Sequence, residues 1–210
     1  MRMPLPLLSL VLILGFAAWP SQAQDAAPTL LSTTEAETWS DVADLKQQAD
    51  AGRPAAVEAY GEMLVLGEQV TKDVPAGLAL LEKAAASGRP NAAFRLGKVY
   101  DDGELVARDA PKALEMYRKA AQAGVAEAQY NLGAMLVSAR GVRRDYKEGL
   151  AWLIVATKNG AAGEGEAQVR ERLKATNRTK LITDAEARAV EIHAQIEAAK
   201  AAKGSSASAK

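Results

Sequence analysis

Cysteine is absent from this chain of 210 residues, and histidine occurs once, as His193. The absence of thiols excludes a disulfide framework and a thiol nucleophile, and it argues against a zinc site of cysteine and histidine ligands. An excess of charge of either sign is also lacking, since 26 basic and 26 acidic residues balance. Nucleic-acid binding requires a net basic surface, so we expect no nucleic-acid partner. We likewise expect no catalytic residue, no metal and no cofactor.

The chain also lacks an apolar run of the roughly 18–20 residues needed to span a bilayer. The apolar run near its start covers only residues 7–19, after a basic residue and before a proline. Small residues at the two positions read by a signal peptidase then predict a cleavable signal peptide at 1–23, cut between Ala23 and Gln24. We expect a flexible spacer at 24–37 and a periplasmic or secreted protein without an integral membrane span. Retention of the run as an uncleaved anchor is the alternative.

What the chain does contain is a repeat with a period of 36 residues. Glycine, aspartate and apolar residues recur at this step. When the repeats are aligned, so many positions carry the same residue in each repeat that the sequence indicates a solenoid or another array of repeats. The clearest columns are Gly52, Gly88, Gly124 and Gly160; Gly61, Gly97 and Gly133; and Asp73, Asp109 and Asp145.

Each repeat has the pattern of two helices joined by a turn. In the second repeat the first segment carries Ala92, Leu96, Val99 and Tyr100 at helical spacing, which predicts one apolar stripe over about three turns. A second segment follows. The aspartate before it predicts an N-terminal cap, and the glycine after it predicts a left-handed residue at the C-terminal end. No segment shows the alternation typical of a strand, so the sequence predicts an all-α fold.

The column of Gly61, Gly97 and Gly133 falls inside the first helix, where glycine costs roughly 0.8–1 kcal/mol relative to alanine. Because these glycines lie next to the apolar stripe, we expect the missing side chain to let a neighbouring helix approach closely. A tolerated surface glycine is the alternative.

The period divides the chain into consecutive units. A half-repeat at the start would cover the open end of the array. Beyond Gly160 the register drifts, and two further helices are expected to form the C-terminal cap, the second one beginning with a capping box at Thr183 and Glu186. The predicted units are an N-terminal half-repeat at 38–52, repeats at 53–88, 89–124 and 125–160, capping helices at 161–203 and a disordered tail at 204–210.

Many residues of the second and third units agree with one known repeat pattern. They are Leu96-Gly97, Tyr100, Gly103, Asp109, Lys112-Ala113 and Tyr117 in the second unit, and Leu132-Gly133, Gly141-Val142, Asp145 and Trp152 in the third. The pattern resembles the Sel1-like repeat, a relative of the tetratricopeptide repeat. The first unit departs most, with Tyr60-Gly61 in place of leucine–glycine. The resemblance implies a right-handed α-solenoid and does not imply an enzyme.

Candidate binding residues lie on the first helices beside the apolar stripe, because first helices line the concave side of a solenoid. They are Asn91, Arg95, Lys98 and Asp102 in the second unit, Glu127, Asn131, Ala134 and Ser138 in the third, and Ala55, Ala59, Glu62 and Leu66 in the first. Tyr130 is added because Glu58 occupies its column in the first unit, whereas the other aromatic residues of the repeats fit a core. Ordinary solvent exposure is the alternative for the whole face.

Three groups of titratable residues are expected to be solvated or to pack locally. They are the carboxylates Asp101 and Asp102 at a helix end, His193 on the cap helix, and the loop arginines Arg140, Arg143 and Arg144. The alternative for the two carboxylates is an acid–base pair, and for His193 it is a general base. For the three arginines the alternative is a contact for an anionic partner.

The resemblance implies an exported scaffold or adaptor that binds a protein or peptide partner in its concave groove, in assembly or regulation at the bacterial cell envelope. Two alternatives stay open. One is a secreted enzyme-like relative with penicillin-binding or weak β-lactam-hydrolysing activity, although such relatives are rich in cysteine and this chain has none. The other is a structural subunit of an envelope motor or secretion complex. The partner and the oligomeric state do not follow from the sequence.

Overall fold

The structure, a computed structural model, describes residues 39–207. In that range the chain forms α-helices and no strand. The helices are α1 (Val42–Asp50), α2 (Pro54–Leu66), α3 (Val74–Ala86), α4 (Pro90–Asp102), α5 (Ala110–Gln122), α6 (Ala126–Ser138), α7 (Tyr146–Lys158), α8 (Gly165–Ala175) and α9 (Thr179–Ala207). The expected all-α solenoid of helix–turn–helix repeats is confirmed. The predicted signal peptide at 1–23 and spacer at 24–37 lie outside the described residues.

The three repeats are built from helices of equal length. Their first helices are α2, α4 and α6, their second helices are α3, α5 and α7, and each of the six has 13 residues. Each second helix follows an aspartate whose side chain caps it, as when Asp109 accepts a hydrogen bond from the backbone N–H of Lys112 at 3.0 Å. Asp73 and Asp145 cap their helices in the same way. The predicted caps are confirmed, and each satisfies an N–H group that has no partner within the helix.

The second helices end at the glycine column of the repeat. Gly88, Gly124 and Gly160 have φ angles of 85°, 95° and 88°, a left-handed conformation that glycine adopts without steric cost. After the first of them, the N–H of Arg89 donates to the carbonyl oxygen of Ala84 at 3.1 Å and closes the helix end. The chain therefore turns into the next repeat at the same place each time.

The core runs along the whole array. Each first helix packs most extensively on the second helix of its own repeat, and each second helix then contacts the first helix of the next repeat. The apolar stripes meet at these contacts, where Leu96, Leu132, Tyr117 and Leu153 are at most 2% exposed. At the N-terminal end α1 packs on α2 and covers the first repeat.

α9 covers the other end of the array. Its residues Ala185, Ala189, Ile192 and Ile196 form one buried stripe at helical spacing, and the helix packs mainly along α7. The contacts of α8 with α6 and α7 are smaller.

The predicted capping box at Thr183 is wrong as the start of this helix. α9 begins at Thr179, so Thr183 lies inside the helix. The preceding turn ends at Asn177, whose φ is 54°, and Leu181 and Ile182 pack partly buried against the core. Burial of these two residues extends the helix toward its N-terminal side.

The predicted disordered tail at 204–210 is wrong for residues 204–207, because α9 continues to Ala207. Alanine, lysine and glutamate, which dominate the preceding sequence, have high helix propensity, and Lys200 pairs with Glu197 at 2.9 Å. With 29 residues α9 is long. Neither it nor any other helix of the described range combines the length and the apolar character that crossing a membrane requires.

Candidate partner-binding face

A polar cleft of about 580 Å³ opens between α4 and α6, on the side of the array formed by the first helices. Residues at the start of the α7–α8 connection complete it. The lining residues are Phe94, Lys98, Asp101, Asp102, Tyr117, Glu127, Tyr130, Asn131, Arg140, Gly160, Ala161 and Ala162. The cleft therefore joins the second and third repeats into one surface.

Asp101 is the buried charge of this cleft. Its side chain is 5% exposed, and its two carboxylate oxygens accept hydrogen bonds from Arg108 at 3.1 Å and from Arg140 at 2.6 Å. Arg108 also donates to the carbonyl oxygens of Asp101 and Arg140. A buried carboxylate is tolerated when it is paired and hydrogen-bonded in this way. The cluster thus holds Arg140 at the cleft and ties the loop of the third repeat to the second.

One interpretation made from the sequence is wrong at this cluster, and a second is incomplete. Asp101 is not a solvated acid at a helix end, although its neighbour Asp102 is exposed. Arg140 is exposed, like Arg143 and Arg144, but it differs from them because its guanidinium pairs with Asp101, 39 residues earlier in the chain.

Tyr117 contributes a phenol hydroxyl to the cleft. The residue is only 2% exposed, and burial, together with the nearby carboxylates of Asp101 and Asp102, raises the pKa of its hydroxyl. The hydroxyl stays protonated at neutral pH, and Asn131, which acts in the opposite direction on this pKa, lines the cleft beside it. The pair therefore provides both donor and acceptor groups at this point of the cleft.

Tyr130 and Phe94 form the aromatic part of the cleft. A Cβ on Gly163 would lie 2.5 Å from the ring of Tyr130, and a Cβ on Gly165 would lie 3.2 Å from it. Because both positions are glycine, the α7–α8 connection and the first residue of α8 rest directly against the ring. This contact fixes the ring and leaves Tyr130 half-buried.

A second cavity, an apolar groove of about 150 Å³, lies between α2 and α4. It is lined by Glu62, Val65, Leu66, Leu81, Arg95, Lys98, Val99, Asp102, Glu104 and Leu105. Burial raises the pKa of Glu62, and Arg95, which pairs with that carboxylate at 2.8 Å, acts in the opposite direction. Since Lys98 and Asp102 line both cavities, the groove and the cleft adjoin along α4. The groove and the cleft together are called the first-helix face below.

The candidate residues from the sequence are unevenly distributed over the first-helix face. Five of them line the polar cleft, namely Lys98, Asp102, Glu127, Tyr130 and Asn131. Arg95 lines the groove, held there by Glu62, and Asn91 is exposed outside both cavities. Ala55 is buried, unlike its counterparts Asn91 and Glu127, so this position of the first repeat is not part of the face.

Four residues of this face are not predicted from the sequence, namely Phe94, Asp101, Tyr117 and Arg140. Phe94 lies one repeat step before Tyr130, so the period itself could have identified it. The other three carry no such signal, because their roles depend on contacts between separate repeats.

The described residues contain no group of three or more histidine, cysteine, aspartate or glutamate side chains arranged to hold a metal ion. His193 lies on α9, outside the lining of both cavities. Within the described part of the chain its Nδ1 is buried and has no hydrogen-bond partner. The groups that the first-helix face offers are hydrogen-bonding, charged, aromatic and apolar.

A stack of two-helix units with such a face defines a helical-repeat protein. The family model for the Sel1 repeat matches residues 54–88, 90–125 and 126–160, about half of the chain. The chain therefore belongs to the Sel1 repeat family, as its resemblance predicts. Sel1 repeat proteins are generally scaffolds for protein interaction rather than enzymes.

Solved structures with the same fold agree with this assignment. A Sel1 repeat protein from Oxalobacter formigenes is 23% identical, with a TM-score of 0.56 over 70% of this chain and 62% of that one. The antigen c5321, a protective antigen of uropathogenic Escherichia coli strains that displays an SLR fold, is 28% identical, with a TM-score of 0.58 over 70% of this chain and 33% of that one. The chain thus spans less than two thirds of either relative. No curated protein matches the sequence.

Proposed function

We propose that this protein is an exported scaffold whose first-helix face holds a segment of a protein partner at the bacterial cell envelope. The observation that supports this most is the polar cleft between α4 and α6. It brings together five of the thirteen residues that the sequence selects as candidates for partner binding. Export and the envelope location rest on the predicted signal peptide at 1–23.

The chemistry of the cleft suits a polypeptide segment. Its volume of about 580 Å³ is that of a site for a small ligand or a few residues. Asn131 and Tyr117 supply hydrogen-bonding groups, Tyr130 supplies an aromatic surface, and Lys98 and Glu127 supply charges of both signs. Protein interfaces combine aromatic anchors with a polar, hydrated rim in the same manner.

The alternative functions have less support. The cleft lining contains no serine, threonine or cysteine, so it lacks the aliphatic hydroxyl or thiol nucleophile that usually opens a β-lactam. A structural subunit of an envelope complex would use the same face for a different partner. This alternative therefore differs from the proposal in the identity of the partner and not in the chemistry of binding.

Site-specific photocrosslinking in the native cell tests the proposal. A photoreactive phenylalanine analogue is placed at Glu127, which is exposed at the cleft, and at Arg143, an exposed loop residue outside both cavities, as the matched control. We expect the Glu127 position to crosslink to one protein in the envelope fraction and the Arg143 position not to do so. Crosslinking from Arg143 alone, or equal crosslinking from both positions, would contradict the proposal.

A further inference from the structure

The apolar groove between α2 and α4 has room for one large side chain. Its volume of about 150 Å³ equals that of a protein cavity able to bind benzene. The side chains of Val65, Leu66, Leu81, Val99 and Leu105 supply its apolar surface. Leu66 is 49% exposed there, and among the described residues only Val190 is another large hydrophobic side chain of comparable exposure. A concave apolar surface with a few charged groups at its edge is typical of a ligand-binding site.

The charge that remains unpaired around this groove is negative. Glu62 and Arg95 neutralise each other at 2.8 Å. Of the other charged residues in the groove lining, Asp102, Glu104 and Lys98 form no ion pair with any described residue. Two carboxylates therefore face one ammonium group, and Glu127, which lines the adjoining cleft with Asp102, adds a further carboxylate.

Two helix ends add to this negative potential. α2 ends at Leu66 and α4 ends at Asp102, and both residues line the groove. The C-terminal end of an α-helix carries a partial negative charge from carbonyl groups without partners in the helix, which favours a cation nearby. The charge of the side chains and the dipoles of the two helices thus both favour a cationic group on the ligand.

We infer that the first-helix face recognises a peptide segment in which an apolar side chain is adjacent to a lysine or arginine. The apolar side chain enters the groove beside Leu66, and the basic side chain pairs with Asp102 and Glu104. From there the segment continues over Lys98 into the polar cleft, because Lys98 and Asp102 belong to both cavities. This inference rests on the proposed function and specifies its ligand, since complementary charge chiefly determines specificity at an interface.

An array of random nonapeptides, probed with the labelled full chain, tests the inference. We expect the retained peptides to be enriched in leucine, isoleucine, phenylalanine or methionine next to lysine or arginine. The variant Leu66→Glu should lose at least tenfold of this binding, whereas Val190→Glu, the same change at the other exposed apolar residue, should retain it. The double variant Asp102→Lys with Glu104→Lys should instead select aspartate or glutamate beside the apolar residue. Circular-dichroism melts verify that each variant folds.

Three outcomes would overturn the inference. They are enrichment of acidic peptides by the wild-type chain, retention of no peptide, and unchanged selection by both the Leu66 and the Asp102–Glu104 variants. Sedimentation of the same variants tests whether a second copy of the chain occupies the groove instead of a peptide. If the wild type is a dimer and Leu66→Glu is a monomer, the groove is a contact between two copies. If Glu127 crosslinks to a protein while the array selects no apolar–basic pair, the ligand inference fails and the proposed function stands. Without that crosslink the proposed function fails.

Discussion

Gly61 and Gly77 face each other across the contact between α2 and α3, so closely that a Cβ on Gly77 would lie 2.7 Å from the carbonyl oxygen of Gly61. The third repeat has the same arrangement, where a Cβ on Gly133 would lie 2.7 Å from the carbonyl oxygen of Gly149. In the second repeat Gly97 instead lies against the ring of Tyr117. The expected close approach of a neighbouring helix at this glycine column is confirmed.

The first prediction concerns this contact in the third repeat. Gly133→Ala should lower the free energy of unfolding by about 1–3 kcal/mol, because the added methyl group meets backbone atoms that cannot move aside, and this overpacking exceeds the gain in helix propensity. Urea unfolding followed by circular dichroism measures the change. Gly204→Ala is the matched control, since a Cβ there meets nothing within 4 Å, and its midpoint should stay equal or rise. An unchanged midpoint for Gly133→Ala would mean that the two helices separate easily.

The second prediction compares two neighbouring carboxylates. Asp101→Asn should lower the free energy of unfolding by about 1.5–3 kcal/mol, because hydrogen bonds to charged groups contribute in that range and Arg108 and Arg140 would lose their shared partner. Asp102→Asn should change it by less than about 0.5 kcal/mol, as expected for an exposed surface residue. The comparison uses urea unfolding at neutral pH. Equal effects at the two positions would show that the cluster around Asp101 does not stabilise the fold.

The third prediction is a pH dependence between the first two repeats. Lys112 donates to Glu82 at 2.8 Å and to the hydroxyl of Tyr100 at 2.6 Å, and the hydrogen bond from Lys112 lowers the pKa of Glu82 below its ordinary value of 4.5. A carboxyl group whose pKa is lower in the folded state stabilises that state above its unfolded pKa. This contribution is lost as the pH falls through the folded pKa.

Glu82→Gln should therefore be less stable than wild type near pH 7, and the difference should disappear as the pH falls below 4.5. Glu82 is half exposed, so we expect a difference of at most about 1 kcal/mol. Urea midpoints measured from pH 7 to pH 3 give the profile. Glu115→Gln, which breaks an exposed pair with Lys119 within α5, is the control and should show a smaller difference. A difference for Glu82→Gln that grows toward low pH would refute the sign of this argument.

The fold could be predicted because its determinants repeat. The columns of Asp73 and Gly88 mark the beginning and the end of the second helices in every unit, and caps and left-handed glycines act within a few residues of where they lie in the sequence. The start of α9 was not predictable by the same means. Leu181 and Ile182 pack against the core, and this contact, rather than the local cap at Thr183, sets the helix boundary.

The candidate site could be predicted only in part, for a related reason. The face of each first helix follows from helical spacing, which selects Lys98, Asp102 and Asn131. The burial of Asp101 depends on Arg140, 39 residues away, and the groove depends on how far α2 and α4 separate. Neither the contact between Asp101 and Arg140 nor the separation of α2 and α4 follows from the pattern of one repeat. Both depend on the displacement between repeats, which results from the packing of all their side chains.

The last prediction concerns α9 as the cover of the array. Ile192 is 1% exposed on the stripe that packs along α7, whereas Val190, two residues earlier, is 71% exposed. Ile192→Ala should lower the free energy of unfolding by about 2–4 kcal/mol through lost burial and the cavity left behind, and Val190→Ala should change it by less than about 0.5 kcal/mol. Urea unfolding gives both values, and binding of a hydrophobic dye reports whether the surface of α7 becomes exposed. If Ile192→Ala leaves the midpoint unchanged and binds no dye, α9 is an appendage, and the last repeat must be stable without a cover.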